Sequence, residues 1–356
     1  MDEKQTFLQF LTERNGKHFS EQIGNVDEFG GTRPFFSVLV RTHARPETLH
    51  QTLASLAAQD YPHFEVIVVE DGKPTAQDAP SWFPQLKLCY FSTGAPVGRC
   101  VAGNLAMQHA KGEYYNFLDD DDYFLPHHLA VMAEQIASHP TANLFHTGSV
   151  ELRVTYPEGC PQDWQCRRSR TVTNEKVDFQ QSAKANQMPI QSVAFRRDLF
   201  LKYGGLDVRL NAYEDWDLWV RYLQSGPAIC DARVTSLFKV EDDLVKEAGR
   251  ILRMKEYRAP LLNALSQYVC DGENAGKIAH SVRETPAEQE LDALREQASA
   301  LVATATAVAA SRKYRMQKPV RALLRKLGSY SLAEDPHDFK NLFEYHAFLV
   351  KQKKLK

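Results

Sequence analysis

Short apolar runs alternate with segments of helical spacing from residue 35 onward, and this alternation most restricts the fold. Residues 35–40 and 64–69 have the length and β-rich composition of buried strands. Between them, Leu49, Leu53 and Leu56 recur at the spacing of one helix face. Strands that alternate with helices imply right-handed crossovers and a mostly parallel sheet. The predicted fold class is therefore α/β, with helices on both faces of the sheet.

The alternation continues along the chain with one interruption. Pro157, Gly159 and Pro161 interrupt the pattern between about 150 and 190, where we expect loops and short strands on an acceptor-side lobe. Further strands are predicted at residues 86–91, 114–118 and 192–196, and further helices at 98–110, around Leu129, Met132 and Ile136, and around Trp216, Trp219, Val220 and Leu223.

The length of 356 residues exceeds the size, about 250 to 300 residues, at which one core stops growing. One large domain plus an appendage is therefore predicted, and the sequence pattern adds an N-terminal arm. Residues 1–33 are polar, carry glycines and show no sustained period, which indicates a loosely held arm. Residues 34–245 form the main α/β domain, and residues 246–356 form a C-terminal helical region.

Charge and cysteine patterns exclude several classes of protein. Lys and Arg number 43 against 45 Asp and Glu, so no overall positive charge favours binding to nucleic acid. The six cysteines match no zinc-binding spacing. The first residues lack a basic region followed by a long apolar stretch, and no apolar run reaches membrane-spanning length. A cytoplasmic location is predicted.

The C-terminal region contains two segments of interest. Residues 311–327 hold seven Lys or Arg and no acidic residue, in an amphipathic arrangement. This segment suits either peripheral contact with an anionic membrane at the inner face of the cell membrane or packing on the main domain. A helix predicted to begin at Thr285 and Pro286 keeps coiled-coil-like spacing, so it suits either a homo-oligomer contact or a bundle helix.

Four consecutive aspartates, Asp119 to Asp122, follow the predicted strand at 114–118. Adjacent like charges repel one another and disfavour β-structure. Mg²⁺ and Mn²⁺ prefer carboxylate oxygens and commonly join one or two of them to nucleotide phosphates. The run therefore predicts a metal and nucleotide site, and the alternative is a solvated turn in which Asp122 caps a helix.

Two further acidic pairs stand at the ends of predicted elements. Glu70 and Asp71 precede Gly72 after the strand at 64–69, where a carboxylate can accept hydrogen bonds from a nucleobase or form a polar turn. Glu214 and Asp215 precede a helix, where Asp215 can serve as a general base toward a hydroxyl or as a helix cap. The sequence leaves both alternatives open.

Taken together, these motifs resemble glycosyltransferase family 2 over about residues 35–240. The resemblance is carried by residues 37–46, by residues 59–72 ending in Glu70-Asp71-Gly72, by residues 98–122, and by Gly204-Gly205-Leu206-Asp207 followed by Tyr213-Glu214-Asp215-Trp216. It implies the GT-A fold, an inverting transfer without a covalent sugar-enzyme intermediate, a bacterial polysaccharide setting, and a catalytic domain at 34–245.

The resemblance also implies site residues and partners. Asp215 maps to the catalytic base, with Glu214 assisting it, and Asp121 with Asp119 maps to the metal site for Mn²⁺ or Mg²⁺. The partners would be a nucleotide-sugar donor and a glycan or lipid-linked acceptor. The residues that would contact the donor, with Asp71 on the base, are Thr42, Arg45, Asp71, Arg99, Asn104, Asp119 and Asp120.

Two other functions remain as alternatives at this point. A metal-dependent nucleotidyltransferase would use the same acidic residues, although it predicts a Gly-rich phosphate loop or an Asp nucleophile with nearby Thr and Lys, which the chain lacks. A glycosyltransferase-like scaffold would bind through its C-terminal helices without turnover. Intact Asp121 and Asp215 favour the enzyme over the scaffold.

Overall fold

The computed structural model describes residues 2–15, 33–157, 160–243, 250, 256–259 and 261. The elements named below belong to one compact unit. Its strands are β1 Phe36–Thr42, β2 Phe64–Glu70, β3 Leu88–Ser92, β4 Tyr114–Asp119, β5 Tyr123–Phe124, β6 Leu144–Thr155, β7 Gln165–Val172, β8 Val193–Arg196 and β9 Ile229–Glu241. Its α-helices are α1 Glu3–Asn15, α2 Pro46–Ala57, α3 Ala79–Trp82, α4 Arg99–His109, α5 His128–Ser138, α6 Phe179–Ser182, α7 Arg197–Tyr203 and α8 Glu214–Tyr222.

The nine strands form one sheet with two different halves. In the order β3-β2-β1-β4-β8-β6-β9-β5, the first four strands pair in parallel, while β7 pairs with β6 outside this path. The second half is mixed, because β8 runs antiparallel to β4 and β6 whereas β6 and β9 are parallel. The predicted α/β fold with a parallel β-α-β half is confirmed.

Both faces of β1 are covered by helices, which explains the successive apolar residues at positions 38–40. Val38 and Val40 lie in the same apolar cluster as Leu53 of α2, whereas Leu39 lies in the opposite cluster with Ala106 of α4. Every residue of β1 is buried. Because side chains alternate across a strand, this two-sided burial requires apolar residues at successive positions.

The prediction of loops and short strands between 150 and 190 is partly wrong. Strand β6 runs twelve residues to Thr155, and β7 pairs with it in antiparallel register from Ser149 to Thr155. Proline and glycine interrupt only the connection between the two strands. Strand β7 escaped prediction because most of its residues are exposed and polar, so it shows little apolar alternation.

The N-terminal residues also differ from prediction. Residues 3–15 form helix α1, whereas the sequence indicated an arm without regular structure. Phe7 and Leu11 are buried in a cluster with Tyr123 and Trp164. Two buried positions one turn apart are too few to produce a recognisable period, so tertiary packing rather than sequence pattern stabilises this helix.

The predictions for residues 16–32 and for most of 246–356, including the helix from 285 and the basic segment at 311–327, lie outside the described residues. Within the described part of the chain, no helix is long and apolar enough to span a bilayer.

Candidate active site

The carboxyl ends of β1 and β4 and the start of α8 meet through one buried arginine. Arg41, in β1, donates from Nε and Nη2 to both oxygens of Asp119 at 2.8 and 3.0 Å. Its Nη1 lies 3.3 Å from Oε1 of Glu214, in α8. Arg41 is 5% exposed, so both interactions are shielded from water. This arginine joins two acidic motifs that are far apart in the sequence.

Arg41 is a site residue that sequence reasoning missed. Its position was treated as part of an apolar strand and its loop, with no charge partner predicted. Register with β4 places Arg41 directly beside Asp119. A charged residue at the end of a buried strand was the available signal, because a buried charge requires a partner.

The acidic run divides into different environments. Asp120 is fully buried, accepts a hydrogen bond from the Thr42 hydroxyl at 2.6 Å, and pairs with Arg45. Asp121 is partly exposed and accepts from Arg45 at 3.1 Å. Asp122 is buried and accepts from the backbone N–H of Lys239 at 3.0 Å, which holds β9 beside the run. Asp122 therefore has a structural role different from the predicted helix cap.

The protonation of these carboxyls follows from their neighbours. Burial alone would raise the pKa of Asp119, but the Arg41 and Arg99 guanidiniums outweigh it and hold that pKa below its ordinary value. Burial and then the charge of Asp121 raise the pKa of Asp120 to about 7, although Arg45 and Thr42 oppose the rise. The first aspartate of the run is therefore the more firmly ionised of the two.

Glu70 and Asp71, at the end of β2, organise the neighbouring loops. The buried Glu70 carboxylate accepts hydrogen bonds from the backbone N–H groups of Ala44 and Thr75, at 3.2 and 2.9 Å. The Asp71 carboxylate accepts from the N–H groups of Val97 and Gly98, at 2.6 and 3.0 Å. Asp71 thus connects the end of β2 to the start of α4.

Glu214 and Asp215 occupy the first turn of α8, as predicted for a carboxylate pair at a helix start. Glu214 is buried and receives Arg41 together with Arg99, the latter at 3.2 Å. Asp215 is half-buried, and its Oδ1 accepts the Trp216 N–H at 2.8 Å. Burial and then the charge of Glu214 raise the pKa of Asp215 to about 6.

Backbone strain marks the same region. Among the described residues, the non-glycine residues with positive φ are Ala44, at 48°, and Tyr213, at 65°. Ala44 lies in the loop after β1, and Tyr213 directly precedes α8. Such conformations cost about 1 to 3 kcal/mol and concentrate at functional sites. Their positions beside Arg45 and Glu214 support this region as the candidate active site.

Asn104 makes a structural contact that the sequence did not predict for it. Its Oδ1 accepts the Leu206 N–H at 2.7 Å, and its Nδ2 donates to the Leu206 carbonyl at 2.9 Å. Both polar atoms of the amide are therefore used to hold the loop between α7 and α8. A Cβ added at Gly205 would lie 2.2 Å from Asn104 Oδ1, which explains the small residue there.

We expect Asn104→Ala to destabilise the domain by about 1 to 3 kcal/mol, because the Leu206 N–H and carbonyl lose their partner in a partly buried position. Urea unfolding measures this change, and Gln108→Ala, at an exposed position of the same helix, is the matched control. Donor KM should be unchanged in any variant preparation that remains folded. A raised donor KM with unchanged stability would restore the predicted donor contact.

The acidic run has the chemistry of a divalent metal site. Asp121 is 31% exposed and uses only Oδ2 in its contact with Arg45, so within the described part of the chain Oδ1 is free to bind a cation. In the same residues, no group of three or more His, Cys, Asp or Glu side chains is arranged to hold a metal ion. Mg²⁺ and Mn²⁺ usually bind one or two protein carboxylates together with substrate phosphates. Asp121 fits this mode of binding.

Comparison with known proteins agrees with this architecture. Residues 37–200 match glycosyl transferase family 2. The chain is 28% identical over 191 residues to an uncharacterized glycosyltransferase of Haemophilus influenzae and 26% identical over 196 residues to WcaA of Escherichia coli, a putative colanic acid biosynthesis glycosyl transferase. Each alignment covers 53% of this chain. The alignments span 62% and 66% of the two relatives, which is less than two thirds of each.

A solved structure extends the comparison to the fold. The mannosyltransferase PcManGT from Pyrobaculum calidifontis, in complex with GDP-Man and Mn²⁺, matches with a TM-score of 0.53 and 19% identity over 96% of this chain and 93% of that chain. This likeness supports the GT-A fold. The family match runs from β1 into α7 and includes the whole acidic run, so this part of the chain is similar to glycosyl transferase family 2.

Proposed function

We propose that this protein transfers a sugar from a nucleotide-sugar donor to a hydroxyl of a glycan or lipid-linked acceptor, in a metal-dependent reaction that inverts the anomeric centre. The observation that carries the proposal is the buried Arg41, which joins Asp119 of the acidic run to Glu214 beside Asp215. A donor-side carboxylate cluster and a candidate base are thereby held at one end of the sheet. Open α/β sheets bind ligands at the carboxyl ends of their strands.

On the donor side, one group of residues contacts the nucleobase and another contacts the diphosphate. Asp71 receives the nucleobase, since its carboxylate retains accepting capacity beyond its two backbone contacts. Thr42, Asp119 and Asp120 line the diphosphate side. Arg45 and Arg99 are 44% and 52% exposed, so their guanidiniums can also reach phosphate oxygens.

Asp121, together with Asp119, would hold Mn²⁺ or Mg²⁺. When bound, the metal offsets the negative charge that develops on the leaving nucleoside diphosphate. The protein positions both carboxylates. Arg45 pairs with the partly exposed Asp121, and Arg41 restrains Asp119.

On the acceptor side, Asp215 removes the proton from the attacking hydroxyl. A pKa of about 6 leaves this carboxylate mostly ionised at neutral pH and still basic enough to accept a proton. Attack by the acceptor oxygen on the face opposite the leaving diphosphate forms the new glycosidic bond with inversion. Glu214, paired with Arg41 and Arg99, positions the start of α8 rather than reacting.

One relative supports an acceptor class for this proposal. WcaA, which resembles this chain, is named for colanic acid biosynthesis. We therefore place the acceptor among the glycans or lipid-linked glycans of bacterial polysaccharide synthesis, with the reaction on the cytoplasmic side. Contact of the segment at 311–327 with an anionic membrane remains a prediction.

Hydrolysis of nucleotide sugars by the purified protein tests the proposal. A panel of UDP-glucose, UDP-N-acetylglucosamine, UDP-galactose and GDP-mannose is incubated with Mn²⁺, Mg²⁺ or EDTA. We expect metal-dependent release of nucleoside diphosphate from one donor, reduced on the order of 100-fold in Asp121→Ala, the scale on which one electrostatic contact to a developing charge acts.

The matched control is Asp60→Ala, because Asp60 is similarly exposed, at 35% against 31%, and also pairs with a basic side chain. It should hydrolyse the donor at the wild-type rate. Release of nucleoside monophosphate and sugar 1-phosphate instead of nucleoside diphosphate would show attack at phosphorus and favour the nucleotidyltransferase alternative. Donor binding without any turnover, with all metals, would favour the scaffold.

A further inference from the structure

Two tryptophans of α8 hold a loop from another part of the chain against the candidate base. The Trp216 indole N–H donates to the Ser182 carbonyl, and the Trp219 indole N–H donates to the Met188 carbonyl at 3.0 Å. Both indoles are buried. The segment 182–188 is therefore fixed at both ends on the helix that begins with Glu214 and Asp215.

One exposed side chain of this segment reaches Asp215. Asn186 Nδ2 lies 2.9 Å from Asp215 Oδ2, while the Asn186 Oδ1 faces the Met188 N–H at 3.4 Å. Because an ionised carboxylate only accepts hydrogen bonds, the amide nitrogen must face Asp215. The two oxygens of Asp215 are thus restrained separately, Oδ1 by the Trp216 N–H and Oδ2 by Asn186.

Nothing in the sequence pattern singled out Asn186, because the segment lies in the least periodic part of the domain. Lys184 and Ala185, which precede it, are exposed, whereas Met188, which follows, is buried. The side chain of an exposed asparagine that makes no packing contact could adopt many conformations. This one is held between two anchored points and directed at the proposed base.

We propose that Asn186 is a positioning residue that orients the Asp215 carboxylate toward the acceptor hydroxyl and stabilises its ionised form. This inference rests on the proposed function, in which Asp215 is the base. The Asn186 amide fixes which oxygen faces helix α8 and leaves the remaining lone pairs directed into the site. The other charged groups acting on Asp215 are Glu214, from the same helix, and Arg41, from β1.

Loss of the hydrogen bond from Asn186 should change the pH dependence of the rate, whereas loss of a purely structural contact should not. Donation to a carboxylate stabilises its charged form, so loss of the donor must raise the pKa of Asp215. A base is active when ionised, and activity is lost as pH falls through its pKa. Removing the amide should therefore reduce the rate more at acidic pH than at alkaline pH.

The experiment measures donor hydrolysis, with water as acceptor, as a function of pH in the full-length protein. We expect the acidic limb of the wild-type profile to have its midpoint near 6. Asn186→Ala should move that midpoint upward by about one pH unit, the size expected for one hydrogen bond to a charged group. Asn186→Asp, of the same shape but charged, should move it further, because a second carboxylate opposes ionisation.

Lys184→Ala, at another exposed position of the same segment, is the matched control and should leave the midpoint unchanged. A rate lowered equally at all pH values in Asn186→Ala, with an unmoved midpoint, would overturn the inference while leaving the proposed function intact.

The carboxyl ¹³C resonance of Asp215, assigned with Asp215→Asn, supplies a readout without turnover. Its titration midpoint should rise in Asn186→Ala relative to wild type. An unchanged midpoint would overturn the inference regardless of activity. Absence of donor hydrolysis by the wild type, together with a raised NMR midpoint in the variant, would count against the proposed function alone.

Discussion

Asp215→Asn is expected to lower the rate of donor hydrolysis by roughly 100- to 10,000-fold, the contribution typical of a positioned general base. The substitution keeps the shape of the side chain but removes the group that accepts the proton. Asp215 belongs to the first turn of α8, and within that turn its carboxylate accepts a hydrogen bond from the Trp216 backbone N–H. We therefore expect the fold and the affinity for the donor to be retained.

Steady-state kinetics and donor titration by calorimetry measure the two quantities separately. Asp198→Asn is the matched control, since Asp198 is an exposed acidic residue in the first turn of α7. It removes a comparable interaction with a helix N-terminus without touching the site. Wild-type turnover in Asp215→Asn would contradict the assignment of the base and leave its carboxylate the role of a helix cap.

Arg41→Met should be the most damaging single change to stability in the site. Removing one partner of a buried ion pair costs about 3 to 5 kcal/mol, because the other charge stays buried without compensation. Glu214 keeps Arg99, and Asp119 is partly exposed, at 24%, so we expect the lower value, about 3 kcal/mol. For a domain of this size that loss corresponds to a fall in Tm on the order of 10 °C.

Calorimetry or urea unfolding measures the loss, and a double-mutant cycle tests its cause. Asp119→Asn in the Arg41→Met background removes the uncompensated charge, so the double variant should be more stable than additivity predicts. Arg209→Met is the matched control, because Arg209 is 65% exposed in its pair with Asp207 and such pairs contribute less than about 1 kcal/mol. Additive losses in the cycle would show that packing of the Arg41 side chain, rather than its charge, stabilises the site.

The strands and helices of the parallel half could be predicted because their signals are local. Apolar residues on both faces of β1 and β2 indicate burial between two layers of helices. Asp71 and the run from Asp119 stand at the ends of strands, whereas Glu214 and Asp215 begin a helix. Helix α1 and strand β7 could not be predicted. Helix α1 buries two side chains, Phe7 and Leu11, which is too few to produce a period. Strand β7 is exposed and pairs on one side with β6.

The candidate site divides in a similar way. Asp71, Asp119 to Asp121 and Asp215 were singled out by residue type and position, and the fold brings their elements together at one end of the sheet. Asn104 was assigned to the donor, yet its amide holds the Leu206 backbone. Arg41 and Asn186 were not singled out, since a lone arginine or asparagine carries no pattern.

The sequence by itself determined which residue types stand at the ends of the strands and that the strands of the first half run in parallel, because periodicity and turn chemistry act over a few residues. Only the tertiary structure decided how the charges pair. Arg41 meets Asp119 across 78 positions and Glu214 across 173, while Asn186 reaches Asp215 across 29. Burial and these long-range contacts set the ionisation of each carboxylate, because both the local dielectric and the neighbouring charges arise only when the chain has folded.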